Sequence, residues 1–212
     1  MRTNFLKFLT IVAIGAAVVS CKKKADEAAT TDAAEVATAE ATATKYMANA
    51  TESVIEWTGY KPTGSHVGTI KIESGVFSVN DGNLESGTFI IDMNSLADSE
   101  ANAKLEGHLK SADFFDIETY PNASFEVTSI ETEDGKTMLS GNLTMKDATN
   151  NISFPVSTEM KDDMLTLTSE TFTINRSKWN IKHGSKSFFD NLGDKFINDN
   201  IELKVTLTAS KA

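Results

Sequence analysis

The chain has 212 residues, 30 of them acidic against 20 Lys and Arg, and a formal net charge of −10. An acidic chain with no basic stripe excludes nucleic acid as a partner, because neutralising phosphates needs clustered cations. The single cysteine excludes an intramolecular disulfide and any thiolate metal cluster.

Residues 1–20 read as a secretory signal: a cationic start (Arg2, Lys7) precedes an apolar run, Phe8 to Val19, too short to span a bilayer comfortably. The run ends in Val18-Val19-Ser20-Cys21, which resembles the bacterial lipobox. That resemblance implies a diacylglycerol-linked Cys21 and a mature protein anchored in the bacterial cell envelope, at the outer membrane. The domain then faces the periplasm or the cell surface. Residues 21–49 are expected to be the acylated cysteine and a flexible Ala/Thr/Glu tether, since almost no large apolar side chain is present to offset chain entropy. Residues 50–212 have the length of one domain with a single core.

Within that domain, alternation of apolar and polar residues recurs. It is seen at Ile55 and Trp57, at Ile70 and Ile72, at Phe77 and Val79, and at Phe89, Ile91 and Met93. A stretch of helical spacing follows, with Ala101, Leu105, His108 and Leu109 on one side, Asp98 or Ser99 as its cap, and Phe114 and Phe115 continuing the apolar side. Alternation resumes at Phe125 and Val127, Leu139 and Leu143, Ile152, Phe154 and Val156, then Leu165 and Leu167. An irregular segment with an expected helical turn near Phe188 leads to the last strand, where Ile201, Leu203, Val205 and Leu207 share a face. Polar turns such as Asn80-Asp81-Gly82, Glu133-Asp134-Gly135 and Lys161-Asp162-Asp163 punctuate the pattern. Strands this numerous with one apolar face close on themselves or pair as two sheets.

No nucleophile elbow, phosphate loop, dinucleotide fingerprint or paired-histidine metalloprotease motif occurs, so no enzyme class is indicated. His66, His108 and His183 are far apart in sequence; convergence in a closed barrel would make a metal site, but the expectation is that each is satisfied locally and that there is no metal and no cofactor. Asp113 and Asp116 have the spacing of either a carboxylate pair or turn caps, with capping the commoner use. Arg176 follows an apolar strand, as a rim arginine that grips an anion or as half of a surface ion pair.

The segments "GHLKSADFFDIETYPNASFEVTSI", "LSGNLTMKDATNNISFPV" and "INRSKWNI", in that order, resemble the YceI-like family of bacterial lipid- or polyisoprenoid-binding proteins. The resemblance spans Ser53 to Ala209, and its most specific part runs from His108 to Phe125. It implies an all-β fold: an antiparallel, lipocalin-like closed barrel of about eight strands, with a short helix near one opening. The implied interior is an apolar cavity for a long-chain isoprenoid or fatty lipid, lined by Trp57, Ile70, Phe77, Phe89, Leu105, Leu109, Phe114, Phe115, Phe125, Phe154, Trp179, Phe188 and Val205. His66, Lys61 and Arg176 are the expected head-group contacts. The function so implied is a membrane-anchored, non-enzymatic lipid carrier or sequestering protein. An enzyme acting on a bound apolar substrate, or a scaffold barrel without cargo, remains the alternative.

Overall fold

A computed structural model describes residues 25–133 and 136–212. The expected signal segment, Cys21, Lys22–Lys24 and the tip of the Glu133-Asp134-Gly135 turn lie outside the described residues. In chain order the elements are β1 (Asp26–Glu27), β2 (Ala29–Asp32), β3 (Thr44–Ala48), β4 (Val54–Lys61), β5 (Gly64–Asn80), β6 (Asn83–Asp98), α1 (Ala103–Lys110), β7 (Asn122–Glu133), β8 (Lys136–Met145), β9 (Ala148–Lys161), β10 (Met164–Ser169), β11 (Phe172–Asn175) and β12 (Asn200–Lys211). Two 3-10 turns, Arg176–Trp179 and Gly193–Lys195, interrupt the loop between β11 and β12.

Eight of these strands close a ring in the order β4, β5, β6, β7, β8, β9, β10, β12 and back to β4, every neighbouring pair antiparallel. This is the expected all-β architecture, and the alternation explains it. Inward positions such as Ile55, Ile70, Phe89, Phe125, Leu139, Phe154, Leu167 and Leu207 are buried while their neighbours face out. Two apolar runs that read as separate strands, around Ile70 and around Phe77, form the single long strand β5, which is bulged between Ile72 and Ser74.

The tether reading of residues 21–49 does not hold for residues 26–48. Asp26 and Glu27 pair with β11 in parallel, Ala29–Asp32 pair with β9, and Thr44–Ala48 lie between β5 and β12. Between these strands the segment crosses the outside of the ring. The Asn142 side-chain amide donates to the Ala34 carbonyl and accepts from its N–H, and the Ala37 N–H donates to the Val127 carbonyl. The attachment is made by backbone hydrogen bonds, with only Ala28 and Tyr46 deeply buried. A poverty of large side chains therefore did not imply an unpaired chain.

Interior aromatic rings are accommodated by missing side chains on the strand beside them. A Cβ on Gly141 would lie 2.2 Å from Phe125 Cζ, and one on Gly87 would lie 2.6 Å from Phe77. We expect Gly141→Ala to lower unfolding free energy by about 1–3 kcal/mol through overpacking, read from urea midpoints. Adding Phe125→Leu should recover part of that loss; simple additivity of the two substitutions would contradict the contact.

Candidate functional site

The ring is filled at one end and hollow at the other. Near the β5–β6 and β9–β10 turns, Phe77, Val79, Leu139, Leu165, Leu167 and Leu207 close the interior, each 5% exposed or less. Five phenylalanines follow one another across the interior: Phe77 to Phe89 at 6.3 Å, Phe89 to Phe125 at 5.1 Å, Phe125 to Phe154 at 5.8 Å and Phe154 to Phe172 at 4.2 Å between ring centroids, and the last four rings form a floor. Above this floor is a cavity of about 270 Å³ with an almost wholly apolar lining. Its walls are the β4, β6, β8, β9, β11 and β12 residues Ile55, Trp57, Ile91, Met93, Leu143, Ile152, Ile174, Leu203 and Val205, and it opens beneath α1 and the loop before β12.

Helix α1 crosses that opening, and its ends are fixed by polar contacts. Asn102 rather than Asp98 or Ser99 is the cap, its side-chain oxygen accepting from the Leu105 N–H at 3.1 Å. Asp98 is buried at the end of β6, where its carboxylate accepts from the N–H groups of Glu100 and Asn102 and its own N–H donates to Glu106 Oε1. The helix stops at Lys110, and Phe114 and Phe115 sit in the following turn, 3% and 9% exposed, with both rings on the cavity. The Lys146 ammonium donates to the Phe114 carbonyl and holds that turn against the β8–β9 corner.

The other side of the mouth is built on Arg176. Its side chain is fully buried, and its guanidinium donates to the carbonyls of Asn198, Ile181, His183 and Ile197 at 2.6–3.2 Å. Nη2 lies 3.4 Å from Asp199 Oδ1, and the guanidinium carbon is 5.2 Å from the Phe114 ring centroid. Burial pushes Arg176 below its ordinary pKa and the Asp199 carboxylate opposes this; an arginine remains charged under both influences. Four of its five N–H donors are spent on backbone carbonyls, so Arg176, which also borders the cavity, is first a structural fork, and one Nη1 N–H is left for the head-group contact expected from the sequence. Trp179 completes the anchor by donating its indole N–H to the Leu143 carbonyl at 2.8 Å.

Of the residues expected to line the cavity, Trp57, Ile70, Phe89, Leu105, Leu109, Phe114, Phe115, Phe125, Phe154 and Val205 border it. Phe77 does not, because it lies under the floor in the filled end; Trp179 is enclosed behind β8; Phe188 is 47% exposed with Lys182 Nζ 4.9 Å from its ring centroid. The turn expected near Phe188 is a single one, in which the Phe188 and Phe189 N–H groups donate to the Ser185 carbonyl at 3.2 and 3.0 Å, and it does not extend into a helix. Lys61 and His66 do stand at the mouth, with His66 Nδ1 3.6 Å from Asp98 Oδ1, a buried oxygen that lacks a hydrogen bond. Tyr60 beside them donates to Glu202 Oε2 at 2.8 Å, and burial together with that carboxylate raises its pKa, so it stays a donor. The three histidines do not all converge: His66 stands with Asp98, whereas His108 and His183 meet with their rings 4.6 Å apart and Asp113 joins them. Asp113 is thus neither a cap nor half of a pair with Asp116, and its partners are 5 and 70 residues away, a separation that leaves no local pattern.

A ring of eight strands around a one-ended apolar cavity is the architecture of the small ligand-holding β-barrels. The chain belongs to the YceI-like family, whose domain model matches residues 46–209; its members are binding proteins rather than enzymes. The chain is 33% identical over 88 residues to a UPF0312 protein of Pseudomonas putida, covering 41% of this chain and 46% of that one. It is 30% identical over 94 residues to Protein YceI of Salmonella arizonae, covering 44% and 47%. The chain therefore spans about half the length of the curated relatives it matches. Among solved structures, BcnA of Burkholderia cenocepacia is similar with a TM-score of 0.61 and 20% identity over 77% of this chain and 99% of that one. A polyisoprenoid binding domain from Saccharophagus degradans, implicated in plant cell wall breakdown, gives 0.59 and 13% over 79% and 98%.

Replacing Arg176 with Met leaves four inward carbonyls without their donor and Asp199 without its counter-charge. We expect a loss of about 3–5 kcal/mol in chemical denaturation, the range for breaking a buried charge pair from one side, with hydrogen exchange accelerated first in residues 181–198. Unchanged exchange there would show that other contacts hold the loop.

Proposed function

We propose that this protein is a membrane-anchored lipid-binding protein that carries or sequesters a polyisoprenoid or other long-chain lipid, with the apolar chain in the cavity above the phenylalanine floor. The observation that carries this reading is the cavity itself: about 270 Å³, almost wholly apolar, closed below and covered above by a helix whose Leu105 and Leu109 face into it. A site of that chemistry offers a ligand burial and little else. At about 0.8 kcal/mol per buried methylene, one five-carbon unit contributes roughly 3–4 kcal/mol, and association costs at least about 4 kcal/mol in lost freedom. A single unit is then nearly offset, and several are needed for tight binding, which selects long chains over short apolar molecules.

The volume is just below the ~300–1,000 Å³ of ordinary small-molecule sites, so a long tail fits by extending out of the mouth or by moving the lining. Met93 and Met145, unbranched and in the wall, are the side chains able to move at least cost. Lys61 and His66 are the polar groups at the mouth best placed to meet a head group, and Arg176, with four of its five donors engaged, has less to offer one. The similarity in fold to a polyisoprenoid binding domain supports the choice of cargo.

The test is lipid uptake by the purified protein, followed by organic extraction and mass spectrometry. Wild type is expected to retain about one long-chain lipid per molecule, and Ala123→Phe, which places a ring inside the cavity wall, to retain at least tenfold less while keeping its fold. Wild-type protein that retains no lipid and takes up no added isoprenoid would leave a scaffold barrel as the better reading.

Anchoring is proposed to rest on Cys21 at the end of the apolar leader, in a cell-envelope protein of the outer membrane. More than one acyl chain on that cysteine makes membrane attachment durable. Among the described residues no helix is long and apolar enough to cross a membrane. Cys21→Ser is expected to release the protein from the membrane fraction on carbonate washing; retention would refute the anchor.

A further inference from the structure

We propose that His108, Asp113 and His183 form a binding site for a divalent transition-metal cation, Zn²⁺ being the best match, which ties helix α1 to the loop before β12 across the mouth of the cavity. One donor atom from each residue lies within 4.8 Å of the other two. In a tetrahedral zinc site with bonds of about 2.0–2.2 Å, neighbouring donors stand roughly 3.3–3.5 Å apart. The three side chains are therefore at most about 1.5 Å wide of that geometry, and the exposed Asp113 and His183 side chains are the ones free to rotate inward.

The arrangement is held from behind. The two imidazoles meet edge to face at 4.6 Å, and the Phe114 ring packs against both, 5.7 Å from His108 and 6.0 Å from His183. The backbone at His183 is fixed by the Arg176 guanidinium, which takes its carbonyl at 2.9 Å. His108 is fixed by the last turn of α1, where its own carbonyl accepts from both the Ser111 N–H and the Ser111 hydroxyl. Two neutral imidazoles and one carboxylate suit Zn²⁺, Cu²⁺ and Ni²⁺, and are poor for Ca²⁺ and Mg²⁺, which take oxygen donors. Arg176 and the nearby Lys182 oppose a cation, and Asp113 is the anion that answers them. Three protein donors leave a fourth position open.

The consequence is mechanical. Among the described residues, helix α1 and residues 177–199 touch through rings, and no hydrogen bond joins them. A metal bonded to His108 on one side and His183 on the other replaces ring packing by coordination, and the cover over the cavity then opens less often.

The test uses the full chain, stripped with EDTA and titrated with Zn²⁺ against a chromophoric chelator, with Co²⁺ absorption reporting geometry. One tightly held equivalent is expected, with Co²⁺ bands of a four-coordinate site. Removing a ligand should weaken binding by more than the ~10–100-fold typical of outer-shell changes, so His183→Ala and His108→Ala should each lose at least about a hundredfold. His183 is exposed, and His183→Ala should still fold and unfold cooperatively in the absence of metal, losing only the ring contacts to His108 and Phe114. Hydrogen exchange across 103–110 should slow with Zn²⁺ in wild type and not in His183→Ala. A wild-type affinity no stronger than that of His183→Ala overturns the site. Tight binding that leaves exchange in the helix unchanged overturns the tie. Neither readout depends on lipid, so failure here is distinct from failure of the lipid-binding reading.

Discussion

Closure through β12 is the constraint on which the rest of the structure depends. Each edge of this strand is occupied by two shorter strands in succession, β11 then β10 on one side and β4 then β3 on the other. Where the partners break, serine hydroxyls take over the ladder: Ser169 accepts the Val205 N–H at 2.8 Å, and Ser53 accepts the Thr208 N–H at 3.1 Å while donating to the Thr208 carbonyl. Without those two bridges the seam would carry unsatisfied buried backbone groups. With them, the ring has no free edge, and alternation along every strand points one set of side chains into a common interior.

What that interior becomes is then a question of side-chain volume. Eight strands leave just enough width for side chains to fill or for one small ligand. In the lower half, branched aliphatics and Phe77 meet across the axis and exclude everything else. In the upper half Ala123 contributes almost no volume, and the Phe89, Phe125, Phe154 and Phe172 rings lie as a floor without filling the space above. The cavity survives because its cover is supported from outside it. Asp98 gathers the N–H groups at the start of α1, and Arg176 gathers four carbonyls of the opposite loop. Neither cover has to collapse inward to satisfy its polar atoms.

Local periodicity made the ring and most of its wall legible in the sequence, since Ile55, Trp57, Phe89, Phe125 and Val205 are inward by alternation alone. Properties that depend on long-range placement were not legible. Alternation gives the face of Phe77 but not its height along the barrel axis, and only height separates core from cavity wall. Residues 26–48 attach through backbone hydrogen bonds that Ala and Thr make as well as any residue, so hydropathy carried no signal. Arg176 at a strand end is compatible with a rim anion site; its burial follows from carbonyls supplied by residues 181–198, which no local pattern announces. The meeting of His108 with His183 spans 75 positions in the same way.

The two Phe-Phe pairs show how the same dipeptide is assigned opposite fates. The chain from Asp98 at the end of β6 to Asn122 at the start of β7 must cross the mouth, so the apolar residues in its turn come down over the hollow end, and Phe114 and Phe115 are buried there. The loop from Arg176 to Asp199 is instead pinned at its two ends, Ile181 and His183 near the start and Ile197 and Asn198 near the finish, all by one guanidinium. A loop gathered at its ends onto a buried point carries its middle outward, and Phe188 and Phe189 stand in that middle, 47% and 50% exposed. Burial of the first pair and exposure of the second thus follow from where the backbone is held. The hydrophobicity of the dipeptide is common to both and decides neither.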